Sequence, residues 1–467
     1  MQEKLYFYYT NDLHSDFEHW PKVVHYIHQQ KAFREAVNES AWVFDIGDNV
    51  DRANPIAEAF LGKANVQLMN HLGYDVVTIG NNEGITLSHD DLYHLYDDAN
   101  FQVVCSNLTS MTKRQPNWLR STVKLTSVNG VRIGLLGLTA PFNAYYNLLN
   151  WHVDYVFETI DKYLDDLRQN TDIIILLSHL GIGEDRQIAE KYEDIDVIIG
   201  GHTHHLLQSE ETVNETIITA AGKNCAHVGE VILTWDHQSK SLIHKEAYTT
   251  NITDFPRDSH TEKLLHNYYS QAEKSLNKTV VTTNKPIEVD WFNQTTIMQE
   301  LTNTLKEWTK ADCAMLNAGL LLREFQPGHV TFKDIHEICP HPINPCVVEL
   351  SGNELLEVIR ASITKEFMEY QLIGFGFRGK VIGRMIYAGL DIETDKHKNG
   401  QEYIKQVTFH GNPLEDTQTY KVATADTFTF GRLLPEIAKS SVKKLFLPEY
   451  IRDLLTYTLQ EKFKNNE

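Results

Sequence analysis

The 467-residue chain has only 5 cysteines, Cys105, Cys225, Cys313, Cys339 and Cys346, and none is in a CxxC spacing. That excludes a disulfide framework and a cysteine-based zinc ribbon, and it reads as reduced thiols in a core. Long apolar runs are missing too. Residues 173–177 are typical of the longest, far short of a bilayer-spanning segment. Met1-Gln2-Glu3-Lys4 runs directly into Leu5-Tyr6-Phe7-Tyr8-Tyr9 with no small-residue cleavage site, so a cytoplasmic location is expected. Positive charge is in short supply, because 43 Lys and Arg face 63 Asp and Glu and leave a formal net charge of −20. Such a surface repels nucleic-acid polymers and anionic membranes. A small anionic ligand would need bound cations to reverse the field locally.

No internal repeat or low-complexity run is present. With 42% hydrophobic and 23% charged residues the chain has an ordinary globular composition, and its length suits two or three domains. Histidine is abundant, at 22 residues. In the first half, short apolar runs at 5–9, 42–46, 76–79, 101–105, 131–138, 173–177, 197–199, 217–220 and 228–235 read as strands. Several are continuously apolar, as in sheets covered on both faces. Helical patterns fall at 21–37, 56–72, 90–97, 156–167 and 185–192, giving a layered α/β architecture. Near Pro256 the pattern changes, and Ser259 with Glu262 reads as a capping box opening a charged helix. A second region of mixed strands and helices follows, starting with a helix near 295–308.

Five short elements carry metal-binding side chains, each just past the carboxyl end of an expected strand. They are Asn11-Asp12-Leu13-His14, Asp45-Ile46-Gly47-Asp48-Asn49, Gly80-Asn81-Asn82-Glu83, Ser178-His179 and Gly200-Gly201-His202-Thr203-His204-His205. Ligands of α/β sheets bind at that edge. A two-metal site requires about seven or eight O and N donors, ideally with one carboxylate between the ions. Asp12, His14, Asp48, Asn81, His179, His202 and His204 supply them. Mixed imidazole and carboxylate donors suit Mn, Zn, Fe or Co.

In order and spacing these motifs resemble those of the calcineurin-like metallophosphoesterases, and within them the 5'-nucleotidase family, whose pattern is DxH, GD, GNH(E/D), H and GHTH. The resemblance covers nearly the whole chain and is closest to members without an export signal. It implies a four-layer α/β/β/α metallophosphoesterase domain over 1–257, a linker helix over 258–281 and a smaller α+β 5'-nucleotidase C-terminal domain over 282–467. It also implies that Asp12, His14, Asp48 and His204 hold one divalent ion and that Asp48, Asn81, His179 and His202 hold the other. Asp48 would bridge the two. The implied activity is release of phosphate from nucleotides or another phosphorylated metabolite. The implied catalytic residues are Asp48 and Asn82. Asn82, however, occupies the place of the family's histidine, and Ile85 that of its acidic partner, so the usual His–Asp dyad is absent. An amide donates a hydrogen bond to a phosphoryl oxygen but transfers no proton. His89 and His205 are the candidate substitutes. The change leaves two alternatives open, a pyrophosphatase or phosphodiesterase with a better leaving group, and a metal-containing nucleotide sensor.

In the second half, Asp312-Cys313-Ala314-Met315-Leu316-Asn317-Ala318-Gly319, then Arg323 and Gly328-His329-Val330-Thr331, are similar to the family's AD…NxGG…R…GxIT pattern, with Leu320 in place of the second glycine. There the family binds a nucleoside between two aromatic rings, with help from asparagine and arginine. The resemblance places Asn317, Arg323 and Arg378 among the substrate-binding residues. It leaves Phe375 and Phe377, and likewise Phe428 and Phe430, as alternatives for the rings.

Overall fold

The computed structural model describes residues 1–112, 114–398, 400–431 and 433–464. The chain divides into two compact units, Met1–Ala272 and Glu273–Glu467.

The first unit contains two large sheets. Strand Gln2–Thr10 pairs in parallel with Ser40–Asp45, which is followed across the sheet by Val76–Val77, Gln102–Val104 and Leu119–Arg120. On its other side lies the antiparallel hairpin His227–Asp236 and Ser241–Asn251. The second sheet has a parallel core of Arg132–Thr139, Ile173–His179, Val197–Gly200 and Thr216–Thr219. Side chains alternate across each strand. Leu5, Phe7, Tyr9 and Phe44 of one sheet therefore meet Leu135, Ile175, Leu177, Val197 and Ile199 of the other in a shared core. The opposite residues of the second sheet, among them Leu136, Ile174, Leu176 and Ile198, pack under helices Val156–Asn170 and Ile182–Lys191. Helix Trp20–Ala36 buries Trp20, Val23, Val24 and Ile27 on the first sheet's outer side. This is the α/β/β/α layering the resemblance implied. All parallel strands end at the same edge of their sheets.

Three local expectations change. The helix expected over 56–72 is two, Pro55–Phe60 and Lys63–Leu72, because Leu61 and Gly62 take left-handed backbone (φ 50° and 81°) that breaks the helical hydrogen-bond run. The strand Ser241–Asn251 escaped notice because its side chains are mostly polar and half-buried. Helix Ser259–Leu276 is capped by Asp258, whose carboxylate accepts from Thr261 N at 2.7 Å, while Glu262 instead receives Arg257 Nε.

The second unit is α+β. Its five-stranded sheet runs Met385–Ala388, Cys313–Asn317, Thr419–Ala425, Pro345–Ser351 and Lys443–Leu445. Helices Thr296–Thr309, Gly352–Ser362 and Ile451–Lys462 supply Ile297, Leu301, Leu355, Ile359, Leu455 and Leu459 to its core. All five cysteines are buried and unbridged. Burial pushes the Cys105 thiol up to about 12, so it remains protonated and inert.

Candidate metal centre

The loop after the first strand is fastened to the loop after the second by a short ladder. Asp12 N donates to Gly47 O (3.0 Å), His14 N to Asp48 O (2.8 Å) and Ser15 N to Asn49 O (2.9 Å). The third loop joins through Glu83. Its buried carboxylate accepts from Asp48 N (3.1 Å), Val50 N (2.8 Å) and Gly80 N (3.0 Å) at the start of helix Asn81–Thr86. Gly47 and Gly80 allow this contact, since a Cβ on Gly80 would lie 2.1 Å from Asp48 Oδ1 and one on Gly47 would lie 2.2 Å from Gly80 N.

Two groups of donor atoms result, each able to close on one ion. Asp12, His14 and His204 form the first, and Asp48, His179 and His202 the second. His14 Nε2 and His204 Nε2 point at each other across 3.0 Å, and His204 Nε2 lies 3.4 Å from Asp12 Oδ1. Asp48 faces both groups, with Oδ1 3.3 Å from His179 Nε2 and Oδ2 3.8 Å from His14 Nε2.

Several features fit these residues to cations. The ring of His179 is fully buried and its Nδ1 lies 2.7 Å from Ile46 O. A carbonyl accepts only, so Nδ1 carries a proton and Nε2 is the ring nitrogen turned to Asp48, the one that would serve an ion. Asn81 Oδ1 is buried without a hydrogen-bond partner in the protein, a costly arrangement unless something electropositive faces it. Five of the seven ligands expected from the sequence, Asp12, His14, Asp48, His202 and His204, have left-handed backbone, with φ of 51°, 50°, 52°, 71° and 56°. Such non-glycine conformations cost roughly 1–3 kcal/mol each and collect where function requires them.

The electrostatics are those of a site built for positive charge. Burial opposes the Asp48 carboxylate, but the imidazoles of His179 and His14 outweigh it and hold the group well below the usual carboxylate range. Burial likewise opposes a charge on His179, yet Asp48 and Asp12 raise its pKa to about 10. Burial and the neighbouring His179 push His202 down to about 4, which leaves it a neutral donor. Burial and Asp48 together lift Glu83 to about 7.

Asn82 stands beside this cluster. Its N donates to Asp48 Oδ1 (2.7 Å) and its Nδ2 to His14 Nδ1 (3.0 Å). His89 stacks on Trp151 at 5.0 Å with Nε2 3.1 Å from Ser110 Oγ, and His205 Nδ1 lies 2.9 Å from Thr203 Oγ1. Two residues acquire a role only in the structure, Glu83, quoted with its motif but given no task, which clamps the loops, and Asp51, whose Oδ2 lies 3.6 Å from His14 Nδ1. The signal for Asp51 was its position three residues after Asp48.

In the second unit, the aromatic alternatives separate by exposure. Phe375 and Phe430 are 51% and 42% exposed and stack on each other at 5.9 Å and 15°. Phe377 and Phe428 belong to the core, where Phe377 stacks on His341 at 5.1 Å and Phe428 on Phe367 at 6.5 Å. Neither of these buried rings presents an open face, which removes them as stacking platforms. Asn317 is buried with Nδ2 donated to Ile382 O (2.8 Å), and Arg323 is held by Glu337 (2.7 Å). Arg378 donates its backbone N to His341 Nδ1 (2.9 Å) and Nη1 to Phe377 O (3.3 Å).

Carboxylates and imidazoles gathered at one edge of a two-sheet α/β/β/α unit define a hydrolase of the metallophosphoesterase class. Residues 5–206 match the calcineurin-like phosphoesterase family, and residues 275–432 match the 5'-nucleotidase C-terminal domain. The chain is 41% identical over 462 residues to the Bacillus subtilis protein named uncharacterized metallophosphoesterase YunD, covering 99% of this chain and 100% of that one. Two longer B. subtilis relatives, endonuclease YhcR and trifunctional nucleotide phosphoesterase YfkN, are 23% and 24% identical over 78% and 76% of this chain, which spans 32% and 27% of their lengths. Among solved structures, the Haemophilus influenzae NAD nucleotidase superposes with a TM-score of 0.69 at 17% identity, covering 98% of this chain and 96% of that one. The Thermus thermophilus 5'-nucleotidase precursor gives 0.63 at 19% identity, covering 99% and 97%. The chain belongs to the calcineurin-like phosphoesterases with a 5'-nucleotidase C-terminal domain. It is a hydrolase acting on phosphoric esters, and its fold implies divalent metal cofactors. Among the described residues no helix is long and apolar enough to cross a membrane.

Proposed function

We propose that the protein is a dinuclear-metal-dependent phosphohydrolase that releases phosphate from nucleotides, with Asp12, His14 and His204 holding one ion, Asn81, His179 and His202 the other, and Asp48 bridging. The observation that carries this reading is the two-sided reach of Asp48, whose separate oxygens face the two donor groups. When bound, such ions supply Lewis acidity to phosphoryl oxygens and activate water for attack on phosphorus. The protein's part is to fix the donors. Ile46 O sets the His179 ring, His202 N and Asn11 Nδ2 hold the Asp12 carboxylate, and Glu83 holds the Asp48 loop. In the second unit the exposed Phe375–Phe430 pair is the candidate base platform. A base between two rings requires them roughly 7 Å apart, twice the 3.5 Å contact distance, so these rings would part by about an ångström on binding.

One observation favours a second reading within the same chemistry. Asn82 spends its amide on His14 and has no proton to give a departing alkoxide. A leaving group that departs without protonation, as the phosphate released from a pyrophosphate bond does, then has the advantage. The name of the NAD nucleotidase neighbour is consistent with that choice.

The test is turnover of Mn²⁺-loaded protein on nucleoside monophosphates, dinucleotides and cyclic nucleotides, together with metal analysis. Asp48→Ala should lose both ions and all hydrolysis. Retention of two ions and full turnover by Asp48→Ala would show that the bridge lies elsewhere.

A further inference from the structure

His14 faces two groups with a single ring nitrogen. The Asn82 amide nitrogen lies 3.0 Å from His14 Nδ1, and Asp51 Oδ2 lies 3.6 Å from the same atom. An amide NH2 only donates. While Asn82 holds Nδ1, that nitrogen must be an acceptor, and the single proton of the neutral ring sits on Nε2. There it points at His204 Nε2, 3.0 Å away. In this tautomer His14 has no Nε2 lone pair for an ion. To bind one, the ring must carry its proton on Nδ1, and an Nδ1 proton requires an acceptor. Asp51 is the carboxylate within reach. It is 3% exposed and firmly seated, with Oδ1 accepting from Ala53 N at 2.8 Å and its own N donating to Ser15 Oγ at 2.9 Å.

We propose that Asp51 is the positioning carboxylate of His14. It takes the Nδ1 hydrogen bond from Asn82 and so fixes the ring in the tautomer that presents Nε2 to a divalent ion. The ring keeps one proton throughout, and only its position changes. Oδ2 must close by about 0.8 Å to reach ordinary hydrogen-bond distance, a shift within one side-chain rotation. Asn82 thereby has a role unlike that of the histidine it replaces, because it stabilises the ion-free tautomer. This rests on the metal reading of His14 given above.

The test is Asp51→Asn, measured by calorimetric titration with Mn²⁺ and by chelator competition. The substitution keeps size and one oxygen, which can serve Ala53 N or His14 Nδ1 but not both. Orienting partners of this kind are worth about 10–100-fold in metal affinity, so one of the two ions should bind that much more weakly. Thermal unfolding of the ion-free variant should match the parent and so exclude a folding defect. A long-range ¹H–¹⁵N spectrum of the Zn²⁺-loaded parent should show His14 protonated at Nδ1. The His14→Ala variant should lose one ion outright. If it does and Asp51→Asn binds both ions as the parent does, the inference fails and the metal reading survives. If His14→Ala also keeps both ions, the metal reading itself fails. Asn82→Ala should leave affinity unchanged or tighter. An equal loss in Asn82→Ala and Asp51→Asn, or an Nε2 proton in the loaded protein, would overturn the assignment to Asp51.

Discussion

Phe428 and Phe430 lie two positions apart and do opposite work. Phe428 is 1% exposed within the second unit's core, and Phe430 is 42% exposed against Phe375. Truncating a buried Phe costs about 3–5 kcal/mol, so Phe428→Ala should lower the melting temperature of the second unit sharply. Phe430→Ala should leave that melting unchanged. It should weaken nucleoside binding by about 1–3 kcal/mol, roughly 5- to 150-fold, if the exposed pair stacks on a base. Equilibrium binding of a fluorescent adenosine analogue, alongside calorimetry of both variants, separates the two effects. Equal affinity in Phe430→Ala and the parent would remove the platform. The sequence Thr427-Phe428-Thr429-Phe430 does not disclose this division. Phe428 lies within the single turn Asp426–Thr429 that follows strand Thr419–Ala425 and Phe430 caps its end, and a turn's inward side is set by the core it lands on. Asp51 was hidden for a similar reason, since its importance comes from facing His14, 37 positions earlier in the chain.

At the scale of elements, the centre depends on strand ends that are forced close together. Gly80 has ordinary backbone (φ −88°), so its requirement is purely steric, because a Cβ would lie 2.3 Å from Asp48 N and 2.1 Å from Asp48 Oδ1. Backbone cannot yield as a flexible side chain does. Gly80→Ala should therefore separate the second and third loops, with loss of Mn²⁺ binding and a melting point lowered by the several degrees that about 1–3 kcal/mol of overpacking implies. Gly73→Ala is the control. Gly73 has φ 83° but open space around it, so it should cost about 1–2 kcal/mol of backbone strain and leave metal binding intact. If both variants bind Mn²⁺ equally, the close approach at Gly80 is not what assembles the site. These strand ends were legible in the sequence because continuous apolar runs stop at glycines followed directly by ligand residues, as in Val197–Gly200 and the histidines after it. The helix break at Leu61 and Gly62 was not legible. Leucine is a strong helix former, and its left-handed backbone follows from packing rather than from propensity.

At the scale of the whole molecule, two cores share one chain, and they need not respond to pH alike. The second contains a histidine that burial keeps neutral. His341 lies wholly inside, with Nε2 2.9 Å from Leu320 O, Nδ1 accepting from Arg378 N at 2.9 Å, and the ring face on Phe377. An amide N–H opposite Nδ1 and a carbonyl opposite Nε2 fit one neutral tautomer only. Burial, chiefly, with the nearby Arg378 and Arg452, pushes its pKa down to about 3. In the unfolded chain the same ring titrates near 6.5. Between about pH 6.5 and 3 the unfolded state therefore binds a proton that the native state refuses. By linkage, this residue's contribution is intact above pH 6.5 and is lost as pH falls, by up to about 1.4 kcal/mol per unit. His341→Gln removes the titration and retains an amide donor for Leu320 O. It should be less stable than the parent at pH 7.5, where the ring's packing on Phe377 and the hydrogen bond from Arg378 N are lost. Its stability should then fall less steeply with acid, so that the two denaturation midpoints converge toward pH 4. Urea unfolding at half-unit pH steps, followed by Trp291 and Trp308 fluorescence in an otherwise tryptophan-free background, reads the second unit by itself. Parallel pH profiles for parent and variant would mean that the acid sensitivity of this core comes from other groups.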